Sequence, residues 1–303
     1  MTPTPSRVGK NMQVRRNLDL EDIRLSWLEW NISGGEGEKL GTASRERERL
    51  LLLHGLGDHA LVWSSLGEYL GGKYHIVAPD LRGHGESSKP EQGYTFGETI
   101  ADLEALMNHL GWQDAHILGH SWAAKLIAIW AQQQPQRFRS AILVDPIFIM
   151  KMPSIVKLSF PILYRTLETC KGMGPFPSYE AAKSEASKLG KYAGWSELQQ
   201  TVFQGGIEEK PNGSWGSKFS VAARNGIFEE VTRVAGLTKP IHIRTLFIQP
   251  EKGVNRTELQ LKPYKSYLTD LTVKGVPGNH WPFLVEPDIF NRSVAAFLAA
   301  QPG

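Results

Sequence analysis

The residues best suited to chemistry gather around Ser121, in the stretch Ile117-Leu118-Gly119-His120-Ser121-Trp122-Ala123-Ala124. A mostly apolar run over 115–118 leads into Gly119, and small or helix-favouring residues follow from Ala123 to Ala128. That order predicts a strand, a sharp turn and a helix, with the serine at the apex. Strained backbone angles there hold the hydroxyl outward, and only small neighbours fit. Such turns read G-x-S-x-G, and Ala123 stands at the fifth position. A serine hydroxyl is a weak nucleophile and needs a base within hydrogen-bond reach. His280, in Gly278-Asn279-His280-Trp281-Pro282, is the candidate, because imidazole takes up and returns a proton near neutral pH. His120 shares the tight turn with the serine and points away from it. Acyl transfer also needs N–H donors for a developing oxyanion. The N–H of Trp122 is one, and the loop His54-Gly55-Leu56-Gly57 offers a second, assigned to Leu56. The Trp122 indole is expected to help line the pocket. His54 is expected to brace the glycine loop and His116 to sit in the core. His59, His75, His84, His109 and His242 form no metal-like cluster, so no metal or cofactor is expected.

These residues need a frame to bring them together. Residues 1–11 read as a loose tail, 13–20 and 23–30 as antiparallel strands, and 31–49, rich in Gly, Glu and Arg, as a solvated loop. The run 50–53 is apolar on both faces, as a buried parallel strand is. Further strands are expected at 74–78, 115–118, 140–144, 243–248 and 271–276, and helices at 62–70, 95–110, 122–133, 257–268 and 287–300. Between 146 and 239 the alternation stops. That stretch is too long for a plain loop and holds helix-like pieces at 154–169, 179–189, 196–203 and 221–234. Strands alternating with helices imply a mostly parallel sheet whose ligands sit beyond the carboxyl ends of the strands. Ser121, the 54–57 loop, Asp145, residues 249–253 and the 278–280 loop all follow strand ends, so they converge on one edge.

With 303 residues, 41% apolar and 21% charged, the chain can bury a full core. A net charge of +3 without a basic, aromatic-laced stripe argues against a nucleic-acid partner. One cysteine, Cys170, excludes an internal disulfide and fits a reducing compartment. The absence of a signal-peptide core or a membrane-length apolar run leads to the expectation of a cytoplasmic protein without a membrane span.

In its four motifs the chain resembles the α/β-hydrolase superfamily from about Val14 to Leu298. They are His54-Gly55-Leu56-Gly57, Asp80-Leu81-Arg82-Gly83-His84-Gly85-Glu86-Ser87, Gly119-His120-Ser121-Trp122-Ala123 and Gly278-Asn279-His280. The resemblance implies an eight-stranded, mostly parallel sheet with helices on both faces and a helical cap after the sixth strand. The core domain would then be 12–146 and 240–303, and the cap 147–239. It makes residues 80–87 a structural turn. The acid departs from the family pattern, which places Gly-x-x-Asp after the seventh strand; here that stretch is Pro250-Glu251-Lys252-Gly253. Some branches carry the acid after the sixth strand, where Asp145 stands, although an aspartate there also serves structurally. Asp145 is the first choice and Glu251 the second.

A serine at the elbow argues against the family's epoxide hydrolases and haloalkane dehalogenases, which use an aspartate there. Acyl chemistry on ester, thioester, amide or carbon–carbon bonds remains. The apolar start of the cap (Phe148, Ile149, Met150, Leu163 and neighbours) suits a small to medium hydrophobic acyl substrate, and hence a carboxylic ester hydrolase. Ser121-Trp122 also resembles the elbow of proline iminopeptidases. A hydrolase-like scaffold that only binds a small ligand, as some hormone receptors do, is the alternative outside enzymes. The sequence does not specify an oligomeric state.

Overall fold

The computed structural model describes residues 13–30 and 47–300. The expected tail at 1–11 and most of the expected loop at 31–49 lie outside them. In chain order the strands are β1 (Gln13–Asp19), β2 (Arg24–Trp30), β3 (Glu48–Leu53), β4 (Tyr74–Asp80), β5 (Ala115–His120), β6 (Phe138–Val144), β7 (Ile207–Glu209), β8 (Trp215–Ser217), β9 (Thr245–Lys252) and β10 (Leu271–Asn279). The helices are α1 (Ser64–Leu70), α2 (Phe96–His109), α3 (Trp122–Gln133), α4 (Phe160–Thr166), α5 (Glu168–Lys171), α6 (Tyr179–Ala186), α7 (Glu197–Gly206), α8 (Val221–Arg233), α9 (Glu258–Tyr267), α10 (Pro282–Val285) and α11 (Pro287–Ala299).

Eight strands form one sheet in the order β1-β2-β4-β3-β5-β6-β9-β10. β1, β2 and β4 pair antiparallel, and every other neighbouring pair is parallel. The leucines of β3 show why a continuous apolar run belongs here. Leu51 and Leu53 enter the hydrophobic cluster on one face of the sheet, while Leu50 and Leu52 enter the cluster on the other. A strand covered on both faces needs apolar residues at every position.

α2 begins at a capping box: Thr95 Oγ1 accepts from the Glu98 N–H and the Glu98 carboxylate accepts from the Thr95 N–H. The same device starts α7 with Ser196 and Gln199, and α9 with Thr257 and Gln260. Between β6 and β9 lies an inserted segment of helices plus the short β7–β8 hairpin, which the sequence reading does not foresee. The expected helix at 154–169 is divided into a 3-10 turn, α4 and α5. The Asp80–Ser87 turn is buried except for Glu86, with Asp80 accepting from the N–H groups of Ala60 (2.6 Å) and Glu86 (3.0 Å) and from Arg15 (2.7 Å). Among the described residues no helix is long and apolar enough to cross a membrane.

Candidate active site

Ser121 joins β5 to α3 with φ 58° and ψ −118°, a backbone region that side-chain-bearing residues seldom enter. Its N–H donates to the Val144 carbonyl on β6 (2.9 Å), which fixes the turn against the sheet. Gly119 allows the turn to close, since a Cβ there would lie 2.7 Å from Ile127 Cδ1 and 2.8 Å from the Ala123 carbonyl oxygen. Ala123 is fully buried, so a methyl group is accommodated where such turns often carry glycine.

Three strands along the sheet from β5, with β6 and β9 between, His280 follows β10. Its Nε2 is 3.0 Å from Ser121 Oγ, and its Nδ1 is 2.6 Å from Asp145 Oδ2. A carboxylate only accepts, so Nδ1 carries the proton and Nε2 is left to accept from the serine hydroxyl. Asp145 sits just past β6 at φ 42° with no solvent exposure. It accepts from the Val254 N–H (2.9 Å) and the Asn255 side-chain amide (3.0 Å). Burial alone would raise its pKa. The hydrogen bond and charge of His280, followed by the Val254 and Asn255 donors, outweigh burial and hold it below the usual carboxylate value. Gly253 makes room for this, because a Cβ there would lie 2.5 Å from Asp145 Oδ2. Glu251, the second choice for the acid, is exposed on β9 and makes no hydrogen bond to His280 among the described residues.

Trp122 is the first residue of α3, so its N–H has no carbonyl within its own helix to donate to. Leu56 lies beside Ser121 on the wall of a cavity of about 530 Å³. The expected place of the Trp122 indole is corrected. It is buried against His84 and Phe96 in the core and takes no part in the cavity wall. The inserted segment supplies Phe148, Leu163, Leu167, Glu168 and Phe228 to that wall, which Ser121 and His280 also line. Among the described residues no lysine or arginine lines it. His54 braces two loops, donating from Nδ1 to the Gly55 carbonyl (2.8 Å) and accepting the Leu81 N–H at Nε2 (2.9 Å). His116 is buried, with Nδ1 2.8 Å from Ser140 Oγ.

Several residues at the site escape sequence reasoning. Asn255 holds Asp145, and Asp58 and Lys191 form a buried pair at 2.9 Å beneath the elbow. Lys125, one turn into α3 and fully buried, donates to the carbonyls of Val231 (2.6 Å) and Phe148. Only Asp58 leaves a trace in the sequence, by following the glycine loop directly.

The model of the alpha/beta hydrolase fold matches residues 48–219, more than half of the chain. The chain belongs to the alpha/beta hydrolase fold family. Its similarity to the soluble epoxide hydrolase of Corynebacterium sp. (strain C12) is 33% identity over 116 residues, 37% of this chain and 38% of that hydrolase. The chain thus spans less than half the length of that relative. With the 2-(acetamidomethylene)succinate hydrolase of Mesorhizobium japonicum it shares 24% identity over 259 residues, 83% of this chain and 88% of the relative. A solved structure of E-2-(acetamidomethylene)succinate hydrolase superposes with a TM-score of 0.75 at 22% identity, covering 95% of this alpha/beta hydrolase and all of that chain.

Proposed function

We propose that this alpha/beta hydrolase is a serine hydrolase that cleaves a carboxylic ester of a small to medium hydrophobic acyl group. The observation that carries the reading is the hydrogen-bonded series Ser121–His280–Asp145 opening onto an apolar-walled cavity. Ser121 Oγ attacks the ester carbonyl while His280 Nε2 takes its proton. The same proton goes to the leaving alkoxide as the tetrahedral intermediate collapses to an acyl-enzyme. His280 then deprotonates a water that releases the acid and regenerates the serine. Asp145 keeps Nδ1 protonated and stabilises the imidazolium. The N–H groups of Trp122 and Leu56 take the oxyanion. Residues 147–239 act as the cap, with Phe148, Leu163 and Phe228 selecting the acyl chain.

Serine at the elbow separates this reading from the epoxide hydrolase relative, and the wall, which has no lysine or arginine among the described residues, gives a succinate-type dianion no countercharge. One observation favours a second reading. Glu168 places a carboxylate on the wall, as a substrate with a free amine would require in an iminopeptidase-like enzyme.

A fluorophosphonate probe and short nitrophenyl esters test the proposal, with amino-acid nitroanilides run in parallel. The expected result is labelling and ester turnover by the wild type and neither by Ser121→Ala. Faster turnover of the nitroanilides would favour the second reading. An unlabelled wild type would overturn the hydrolase reading and leave a ligand-binding scaffold.

A further inference from the structure

Two aspartate–histidine pairs lie side by side at the elbow. Asp145 accepts from His280 Nδ1, while Asp58 Oδ2 faces Nδ1 of His120 at 3.6 Å, too long for a hydrogen bond. The two imidazole rings are 4.6 Å apart between centroids, and His120 Nε2 donates to the His280 carbonyl at 2.8 Å. With Nε2 as donor, a neutral His120 has no proton on Nδ1. A buried, unpaired carboxylate at that distance would draw a second proton to it. A charged His120 would then oppose the imidazolium that turnover forms at His280.

Asp58 does not stand unpaired. Lys191, between α6 and α7 in the inserted segment, places Nζ 2.9 Å from Asp58 Oδ1, and the Trp281 Nε1–H donates to Oδ2 at 3.2 Å. The side chains are 1% exposed for Asp58 and 8% for Lys191, so solvent screens the pair little. Lys191 is not on the wall of the substrate cavity.

We propose that Lys191 is a positioning residue that decides which of the two histidines carries the proton. By neutralising Asp58 it keeps His120 uncharged, in the tautomer that holds the His280 backbone, and leaves His280 as the base. The inference rests on the Ser121–His280–Asp145 reading and adds that the cap supplies a charge the site requires.

The other titratable groups around the pair do not take over this role. Tyr192 lies beside Lys191, and burial raises its pKa. Burial lowers His54, and holds His59 to about 4 and His84 to about 3, so all three are uncharged near neutral pH. Burial and His280 lower His120, while Asp58 pulls the other way. Burial would lower Lys191 and raise Asp58, but their mutual attraction leaves Lys191 above and Asp58 below its ordinary value.

Ester hydrolysis across pH by the wild type, Lys191→Met, Lys191→Arg and the double variant Lys191→Met/Asp58→Asn tests this. Lys191→Met should lower kcat about ten- to a hundredfold, as loss of positioning does, with KM little changed. The acid limb of its kcat/KM should move to lower pH, because a cationic His120 beside His280 opposes a second positive charge there. Lys191→Arg and the double variant, in which both charges are gone, should return rate and limb towards the wild type. Lys191→Gln, a neutral donor, replaces Lys191→Met if the latter does not fold. An unchanged single variant, or a slow one with an unmoved limb and no rescue by the double, overturns the proposal. Ring-nitrogen NMR of the histidines separates this from failure of the hydrolase reading. It should show His120 neutral in the wild type and charged in Lys191→Met even if no ester is turned over, and a neutral His120 in both overturns the proposal.

Discussion

The Asp145 carboxylate accepts from the Val254 and Asn255 N–H groups, the Asn255 amide and His280, so in the proposed mechanism it meets an imidazolium without reorganising. Asp145→Asn should lower kcat on the order of 10³–10⁴, by analogy with loss of a triad acid, while circular dichroism stays unchanged. Glu251→Gln should keep the wild-type rate, and a loss there as large as in Asp145→Asn would remove Asp145 from the role. The sequence marks Ser121 and His280 because a sharp turn and a tight loop demand small residues and glycine beside them, and the structure brings the two side chains within 3.0 Å. The choice between Asp145 and Glu251 stayed open there, since it depends on which strand end the histidine reaches. Lys191 and Asn255 gave no signal, being ordinary residues whose roles arise from contacts 133 and 110 positions away in the chain. The Trp122 indole departs from its expected place for a geometric reason: side chains at a helix start tilt back towards the N-terminus, here into the core.

At the scale of elements, the segment joining β9 to α9 is what holds the Asp145 carboxylate. Asn255 Nδ2 bridges Asp145 Oδ1 (3.0 Å) and the Pro146 carbonyl (2.6 Å), while Gln249 Nε2 and Gln260 Nε2 donate to the carbonyls of Asn255 (2.7 Å) and Val254 (2.6 Å). Asn255→Ala leaves two buried acceptors short of a donor. It should cost about 1–3 kcal/mol in urea unfolding and also lower kcat, whereas a stability loss with an unchanged kcat would show that the loop does not govern the acid. The main strands and helices were readable because period and capping residues are local properties. The β7–β8 hairpin was not, as three-residue strands carry no period. The run at 154–169 is helical by composition, but Pro161 and the 3-10 turn before it divide the segment.

For the molecule as a whole, buried charges set the pH range of stability. Asp58, Asp80 and Asp145 all lie below their usual value of 3.8 when folded. The stability they contribute is complete above 3.8 and is lost as pH falls through the folded values. Lys125 acts at the other end. Burial lowers it from 10.5 to about 7, with Glu230 opposing. The unfolded chain therefore binds more protons in that window, and stability should rise from pH about 7 towards 10.5, by on the order of a few kcal/mol. Urea midpoints across the window check this: the wild type should gain relative to Lys125→Met, and parallel profiles would show that Lys125 is charged throughout. The order of the elements along the chain bears on biosynthesis. Ser121 and Asp145 precede the inserted segment and His280 follows it. On the proposed reading a ribosome therefore completes Ser121 and Asp145 long before His280, and domains assemble as their parts emerge. A nascent or stalled chain would then carry a serine with no base, and hydrolysis would begin only after the inserted segment that walls the cavity has been made.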